Sequence, residues 1–298
     1  MVVCEIEYSG RRGRGECVPY PRYGESVESV IGQITAVTPE LKREPDRSAL
    51  QKLLPPGAAR NAVDCALWDL ESKSAGARAW DLAGVAVPPH LTCAFTLSLD
   101  DPDAMHRAAA RQLGRPLLKM KVGRDGVLDR VEAVVTGAPG SRLIVDANEA
   151  WTMELLRELL PALAEIGVDL IEQPLPAGRD EGLADIDHLV PLAADESCHT
   201  VADLPALIGR YDFVNIKLDK TGGLTEALTL LHGATERGFG IMVGCMVGTS
   251  LAMAPAIMIG SRAEFVDLDG PLLLARDREA GLDYENGIVS LPAPVLWG

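Results

Sequence analysis

The feature that most constrains the fold is a unit that repeats over residues 91–270: a short apolar run ending in a polar residue, then a loop, then an amphipathic helical stretch. This alternation is typical of a parallel sheet with crossover helices. Eight such runs are present: CAFTLSL, PLLKMKV, RLIVDAN, VDLIEQP, PLAADES, DFVNIKL, GIMVGCM and EFVDLDG. Because eight parallel strands close a barrel, we predict an α/β fold built on a (β/α)7β TIM-like barrel.

Polar residues recur at the ends of these runs. They are Lys121, Asp146, Glu172, Asp195, Lys217 and Asp267. Their successive separations are 25, 26, 23, 22 and 50 residues, the last covering two units. Any one of them could be an ordinary solvated loop residue. Six in register indicate an active site, because the carboxyl ends of the strands form the catalytic mouth of such barrels.

The first ninety residues predict a smaller α+β capping domain. Residues 5–20 read as a hairpin with GRRGRG as its turn, and helices are expected over 26–38 and 58–73. GRRGRG lacks the GK[ST] ending of a phosphate loop and the helix after it, which favours the hairpin turn. The predicted division is a cap over 1–90, a barrel over 91–275 and a C-terminal segment over 276–298 that returns to the cap.

Charge and cysteine content exclude several partners. The chain has 43 acidic and 28 basic residues and a formal charge of -15, which opposes nucleic-acid binding because phosphate contacts need clustered Lys and Arg. Six scattered cysteines without a CxxC pair, and no signal peptide at the start, predict neither a disulfide framework nor a zinc site. We expect a cytoplasmic protein, and a homo-oligomer is compatible with the sequence.

The uncharged stretch 241–260 is long enough to span a bilayer, which makes a membrane helix the alternative to consider. Gly244, Gly248 and Pro255 interrupt it. A buried strand, a loop and a buried helix are therefore the favoured interpretation, and no membrane partner is expected.

Three carboxylates at consecutive strand ends, Asp146, Glu172 and Asp195, are predicted to converge near the barrel axis. Such all-oxygen ligation suits Mg²⁺. Asn148 and Glu196 follow two of them closely and are expected to hydrogen-bond to the ligands. An unbalanced group of three acids would repel itself, so a cation or lysines must offset the charge.

Lysines are present on both sides of this group. Lys119 and Lys121 are two positions apart in one strand and so point to the same face. Lys217 ends the strand four positions further around the ring. Two amines would then flank a substrate, which suits epimerisation: the metal stabilises an ene-diolate while a lysine on each face moves the α-proton. An exposed strand end is the alternative for KMK, weakened by the carboxylates in register.

Other catalytic signatures are absent from the sequence. The five histidines form no HExxH or HxH, and there is no GxSxG. His199, three residues after Glu196, is the histidine expected near the mouth, and the sequence assigns it no catalytic role.

Taken together, KMK (119–121), DAN (146–148), IEQP (171–174), DES (195–197) and NIKLDKTGG (215–223) resemble the enolase superfamily, in its muconate-lactonizing subgroup. The segments GECVPYPRYGES and ARNAVDCALWDL extend the resemblance through the cap. The resemblance implies Mg²⁺ bound by Asp146, Glu172 and Asp195. It implies Lys121 and Lys217 as opposed acid and base, with Lys119 assisting electrostatically.

The eighth run narrows the expected substrate. Asp267 and Asp269 in VDLDG share a face, and in the dipeptide epimerases that this chain resembles, a DxD at this place holds the free α-ammonium of the dipeptide. The resemblance implies epimerisation of L-Ala-D/L-Glu, as in murein peptide recycling. A rim salt bridge or a helix cap is the alternative for DxD. The rival reactions are cycloisomerisation and the elimination of an o-succinylbenzoate synthase.

Caps of this family usually begin with a further strand and a mobile loop that closes over the substrate, and we expect the chain to start after that segment. Arg22 is the substitute candidate for reading the distal side chain of the substrate. A metal-binding protein inactivated by a shortened cap is the remaining alternative, because loss of the lid would impair water exclusion.

Overall fold

The computed structural model describes residues 1–43 and 46–298. The strands are β1 Val2–Tyr8, β2 Arg11–Cys17, β3 His90–Thr92, β4 Phe95–Leu97, β5 Leu117–Lys121, β6 Arg142–Asp146, β7 Leu170–Glu172, β8 Leu192–Ala194, β9 Phe213–Ile216, β10 Gly240–Val243, β11 Phe265–Val266, β12 Tyr284–Glu285 and β13 Ile288–Ser290. The α-helices are α1 Val27–Arg43, α2 Arg47–Leu53, α3 Ala58–Ala75, α4 Ala79–Ala83, α5 Pro102–Ala110, α6 Val127–Gly137, α7 Met153–Ile166, α8 Leu204–Leu207, α9 Leu218–Thr221, α10 Leu224–Glu236 and α11 Ser250–Gly260. The 3₁₀ helices are Pro21–Tyr23, Glu181–Asp185, Val201–Asp203 and Gly270–Leu273.

Strands β4 to β11 form one parallel sheet in chain order. The N–H of Ala94, just before β4, donates to the carbonyl of Val266 in β11 at 2.8 Å, so the sheet curls until its ends meet. The inner core is a ring of apolar side chains contributed by successive strands: Ala94, Leu117, Ile144, Leu170, Ala193, Met242 and Phe265. The predicted (β/α)7β barrel is confirmed, with all eight runs as strands.

The uncharged stretch 241–260 forms the end of β10, a loop and α11, and α11 is buried along almost all of its length. Within the described ranges, no helix is both long and apolar enough to cross a bilayer. The apolar character of the stretch 241–260 therefore reflects the burial of α11 between the barrel wall and the cap.

The cap hairpin differs from the prediction. Strands β1 and β2 pair from end to end, and the turn is Ser9–Gly10. Only the first glycine of GRRGRG lies in the turn, and 11–15 belong to β2. The expectation that the whole motif forms the turn is wrong.

Close packing explains the other two glycines of the motif. A Cβ at Gly13 would collide with the carbonyl oxygen of Ala66, and one at Gly15 with that of Ala62. Both acceptors lie on α3, so the glycines let β2 approach this helix at backbone distance. These two glycines, which the sequence suggested as turn residues, are required instead for the packing of β2 on α3.

Helix α3 is the central element of the cap and is buried over most of its length. The predicted end of the first cap helix at residue 38 is wrong, because α1 continues through Pro39 to Arg43. At the C-terminus, the indole N–H of Trp297 donates to the carbonyl of Cys65 at 3.0 Å, so the end of the chain packs on α3. Helix α3 therefore contacts both the hairpin and the C-terminal segment.

Candidate active site

The carboxyl ends of the barrel strands surround a cavity of about 380 Å³. Most residues predicted for the site line it: Lys119, Lys121, Asn148, Asp195, Glu196, Lys217, Asp267 and Asp269. Asp146 and Glu172 end β6 and β7 and are fully buried. From the cap, Tyr20 and Tyr23 complete the wall.

Lys119 occupies the centre of the acidic group. Its Nζ lies 2.9 Å from Asp146 Oδ2, 2.7 Å from Glu172 Oε2 and 2.8 Å from Asp267 Oδ2. Burial acts to lower the pKa of Lys119, but these three negative charges outweigh it and hold the pKa well above its ordinary value. Lys119 is therefore an ammonium that balances the carboxylates.

Lys121 lies at the outer end of β5, with about a third of its side chain exposed. Its Nζ donates to Asp146 Oδ2 at 2.6 Å and to Asn148 Oδ1 at 2.8 Å. Burial acts to raise the pKa of Asp146, but Lys119 and Lys121 lower it to about 2. Asn148 and Glu149 both have positive φ, 42° and 66°, so the loop that presents Asn148 to the lysine is backbone-strained.

Lys217 follows β9, four strands around the ring from β5, and so approaches from the opposite side. Its Nζ donates to Asp195 Oδ2 at 2.6 Å and lies 3.9 Å from Glu172 Oε1. Burial acts to lower its pKa, but Asp195 and Glu172 raise it above its ordinary value. The two lysines predicted to oppose each other thus stand on opposite walls of one cavity.

The carboxylates supply donors suited to a hard cation. Glu172 Oε2 and Asp195 Oδ1 are buried and accept no hydrogen bond, although a lysine Nζ lies 2.7 Å from each outside hydrogen-bonding geometry. As the side chains stand, no three His, Cys, Asp or Glu residues among those described converge tightly enough to hold an ion. Lys119 lies between them instead. Even so, three buried carboxylates, two of which have an oxygen outside hydrogen bonds, match the ligands that Mg²⁺ prefers.

Two neighbouring acids have raised pKa values. Burial, with the charge of Asp146, raises the pKa of Glu172 to about 7. Burial and the charge of Asp195 do the same for Glu196, whose Oε2 is also buried without a hydrogen-bond partner. Asn148 Nδ2 donates to the other oxygen of Glu196 at 3.4 Å. The raised pKa values indicate that the lysines do not fully offset the negative charge of the site, which favours the binding of a cation.

Asp267 and Asp269 lie on the cavity wall beside Thr96. The N–H of Thr96 donates to Asp269 Oδ2 at 2.6 Å, and its hydroxyl donates to Asp267 Oδ1 at 3.3 Å. Burial and the charge of Asp267 raise the pKa of Asp269 to about 7. The Asp269 side chain makes no capping hydrogen bond to the following 3₁₀ helix, so the helix-cap alternative is wrong.

The structure does not bring Arg22 into this cavity. Its guanidinium binds Glu149 through two hydrogen bonds, Nε to Oε2 at 2.9 Å and Nη2 to Oε1 at 2.8 Å. It borders a separate cavity of about 640 Å³ together with His199, whose ring centroid lies 4.6 Å from that of Tyr23. In this arrangement, Arg22 joins the cap to the barrel loop that carries Asn148.

Sequence reasoning missed a clamp between the cap and the barrel. Arg60 of α3 donates to the carbonyls of Thr221 at 2.6 Å and Gly222 at 3.1 Å. Asn61 donates to Asp219 Oδ1 at 2.8 Å. These bonds hold α9, which directly follows Lys217, against the cap. The sequence signal that could have revealed these contacts is Arg60–Asn61, two adjacent polar residues in a helix whose apolar residues recur at helical spacing.

Two family models together match most of the chain. Residues 1–84 match the mandelate racemase/muconate lactonizing enzyme N-terminal domain. Residues 103–294 match the enolase C-terminal domain-like family.

Curated relatives are similar over almost their full length. The L-Ala-D/L-Glu epimerase of Escherichia coli K12 is 48% identical over 293 residues, which is 98% of this chain and 91% of that protein. The N-acetyl-D-glutamate racemase of a Pseudoalteromonas species is 47% identical over 302 residues, 100% of this chain and 95% of that protein.

Solved structures superpose closely. An enolase family member from Agrobacterium tumefaciens with homology to dipeptide epimerases, with bound sodium and L-Ala-L-Glu, has a TM-score of 0.97 and 52% identity, covering 99% of this chain and 91% of that one. A dipeptide epimerase from Enterococcus faecalis, complexed with Mg and L-Leu-L-Tyr, has a TM-score of 0.89 and 28% identity, covering 98% and 90%.

Proposed function

The chain belongs to the mandelate racemase/muconate lactonizing enzyme family of the enolase superfamily, and on this premise we infer that it is a Mg²⁺-dependent dipeptide epimerase. The observation that carries the inference is the pair of lysines, Lys121 and Lys217, on opposite walls of a cavity lined by buried carboxylates. A reaction that moves a proton on one face of a carbon needs one acid–base group. Inversion of configuration at that carbon needs one group on each face.

Asp146, Glu172 and Asp195 are the residues that would hold the cation. They end or follow three adjacent strands, and two of them carry buried oxygens without a hydrogen-bond partner. When bound, Mg²⁺ supplies positive charge that draws electron density from the substrate carboxylate and makes its α-proton more acidic. The main-chain N–H of Asn148 donates to Asp146 Oδ1 and limits how that carboxylate can turn, while the Asn148 side chain donates to Glu196.

The two lysines move the proton. When the neutral Nζ of one lysine takes the α-proton, the C–H bond breaks on that face of the α-carbon and its electron pair stays on the substrate, delocalised toward the carboxylate. The ammonium of the other lysine then gives a proton to the opposite face, and the new C–H bond has the inverted configuration. In the reverse direction the roles of Lys121 and Lys217 exchange. Lys119 remains charged throughout and stabilises negative charge at the centre of the site.

Our proposal for the substrate class rests on Asp267 and Asp269 in the cavity wall. Asp267 is already paired with Lys119, and Asp269 lies beside it with a pKa raised by burial and by that neighbour. A substrate ammonium next to Asp269 would offset this repulsion. A free α-amino group fits that position, and the relatives point to L-Ala-D/L-Glu. We further propose that the substrates are murein-derived peptides and that the protein acts in the cytoplasm; the free cysteines of the described residues support the second point.

Solvent exchange tests the reaction directly. The protein is incubated with L-Ala-L-Glu and Mg²⁺ in D₂O, and the Glu α-proton is followed by ¹H NMR. We expect that signal to disappear while the L-Ala-D-Glu diastereomer accumulates. Addition of EDTA should stop both processes. No exchange across a panel of dipeptides would contradict the inference.

Racemisation of an N-acetylated glutamate is the second candidate, because the relative with that activity is almost as similar as the epimerase. The two substrates differ in the charge of the nitrogen that Asp269 would face. We predict that Asp269→Asn lowers kcat/KM for L-Ala-L-Glu about tenfold or more and changes that for N-acetyl-glutamate much less, since a charge-assisted hydrogen bond contributes about 1.5–3 kcal/mol. Equal losses would remove Asp269 as the ammonium partner.

A further inference from the structure

Lys220 is a buried charged side chain that the proposed chemistry does not use. It lies in α9, one helical turn after Lys217, and its side chain has no exposed surface. Placing an ammonium in such surroundings is costly unless its hydrogen bonds and its charge are matched. The groups that Lys220 contacts therefore indicate its role.

The partners of Lys220 are two adjacent strand ends of the site. Nζ lies 2.7 Å from Asp195 Oδ1, donates to the main-chain carbonyl of Asp195, and donates to the carbonyl of Asn215 at 3.0 Å. One ammonium thus contacts both the carboxylate and the backbone of Asp195. It also ties the residue after β8 to the strand β9 that precedes Lys217.

These contacts determine how Asp195 presents itself to the cavity. With Oδ1 beside Lys220, the other oxygen, Oδ2, meets Lys217 at 2.6 Å. Asn215, held through its carbonyl, donates its side-chain N–H to Glu172 Oε1 at 2.8 Å. The influence of Lys220 therefore reaches Asp195 directly and Glu172 through Asn215.

A lysine–aspartate contact in the cap, with a partly exposed lysine, shows the contrast. Lys73 pairs with the buried Asp69 at 2.6 Å, but Asp69 accepts hydrogen bonds from the main chain of the hairpin and of the C-terminus. That pair connects elements of the cap. Lys220 instead acts on groups that face the cavity.

We propose that Lys220 is a positioning residue for the cation site, which holds Asp195 and the adjoining strand ends in the arrangement that binds Mg²⁺. The proposal rests on the proposed function, in which Asp195 is a ligand. Residues that orient metal ligands typically contribute about 10–100-fold to metal affinity. A merely structural role would lower thermal stability without changing the affinity of the folded protein for the ion.

The test compares the full-length wild type with Lys220→Met, which keeps the length of the side chain and removes its charge, and with Lys73→Met as the matched control. Mg²⁺ binding without substrate is measured by titration calorimetry, and melting temperature and circular dichroism are measured in parallel. We expect Lys220→Met to weaken Mg²⁺ binding about 10–100-fold. We expect Lys73→Met to bind Mg²⁺ as the wild type does, even if it melts earlier.

Folded Lys220→Met with wild-type Mg²⁺ affinity would overturn the proposal. If that variant does not fold, Lys220→Gln decides: it retains a donor but no charge, and unchanged affinity in this variant would equally overturn it. A wild type that binds Mg²⁺ but turns over no dipeptide would reject the proposed function and leave the Lys220 comparison intact. A wild type without Mg²⁺ binding would overturn both.

Discussion

The two lysines that face each other across the barrel mouth are held in different ways. Lys121 has 32% of its side chain exposed and is held by Asp146 and Asn148, the latter from a loop with positive φ. Lys217 is 8% exposed and is held by the buried Asp195. The Lys121 side of the site is partly exposed and is held by a loop, whereas the Lys217 side is buried and is held by a buried carboxylate.

The supports behind the lysines differ in the same way. Behind Lys217, Arg60 of the cap donates to main-chain carbonyls at the end of α9 from a buried position. On the Lys121 side, the cap reaches the loop through Arg22 and Glu149, and half of the Arg22 side chain is exposed. Water and salt screen the second contact but not the first. The cap should therefore influence Lys217 strongly and Lys121 weakly.

The largest expected effect comes from removing either base. Lys217→Ala should abolish net epimerisation, with a loss of at least about 10²–10⁴-fold, since a general acid–base group contributes that much. Deuterium exchange should survive from one substrate diastereomer, because Lys121 remains. Lys121→Ala should leave exchange from the other. NMR in D₂O with each diastereomer measures this, and equal loss for both diastereomers in one variant would argue against opposed bases.

A smaller effect is expected from opening the buried clamp. Arg60→Met should lower the free energy of unfolding by about 2–3 kcal/mol, because it leaves buried carbonyls without a donor. It should also reduce exchange by the Lys217 face more than by the Lys121 face. Urea denaturation and diastereomer-specific exchange measure the two effects.

Arg47→Met is the control for the clamp. Arg47 pairs with Glu71 at 2.7 Å and stacks on Trp68, both within the cap, and among the described residues it donates no hydrogen bond to α9. Its loss should cost stability without changing the ratio of the two exchange rates. An equal change of that ratio in both variants would contradict the difference between the two sides.

The smallest effect is expected on the open side. Arg22→Met removes the two hydrogen bonds to Glu149, and we expect less than about a fivefold fall in exchange by the Lys121 face, since exposed ion pairs contribute at most about 1 kcal/mol. High salt should reduce the difference from the wild type. Arg12→Met is the control, because Arg12 pairs with Glu7 on the exposed hairpin. A loss as large as that of Arg60→Met would show that both sides are equally braced.

The strand-end residues could be predicted because barrel geometry repeats. One strand and one helix per unit return the chain to the same height, so the regular spacing of Asp146, Glu172 and Asp195 places them on neighbouring strand ends. The opposition of Lys121 and Lys217 followed from counting strands around the ring. These relations depend on local periodicity, which a sequence displays directly.

The rest depended on tertiary contacts between distant parts of the chain. Gly13 and Gly15 resemble turn residues, yet they permit β2 to pack on α3. Arg60 reaches carbonyls some 160 residues further along the chain, at separations of 161 and 162 positions. The sequence alone left open whether Lys220 faces solvent or the interior of the protein.

What the sequence alone determined was therefore the barrel and the identity of the groups at its mouth, because their order follows from a repeating local pattern. How each group is held depends on contacts between segments that are distant in the chain. Burial and hydrogen-bond partners, such as Asp195 for Lys220 and Glu149 for Arg22, arise where separate segments meet. No local pattern encodes which segments those are.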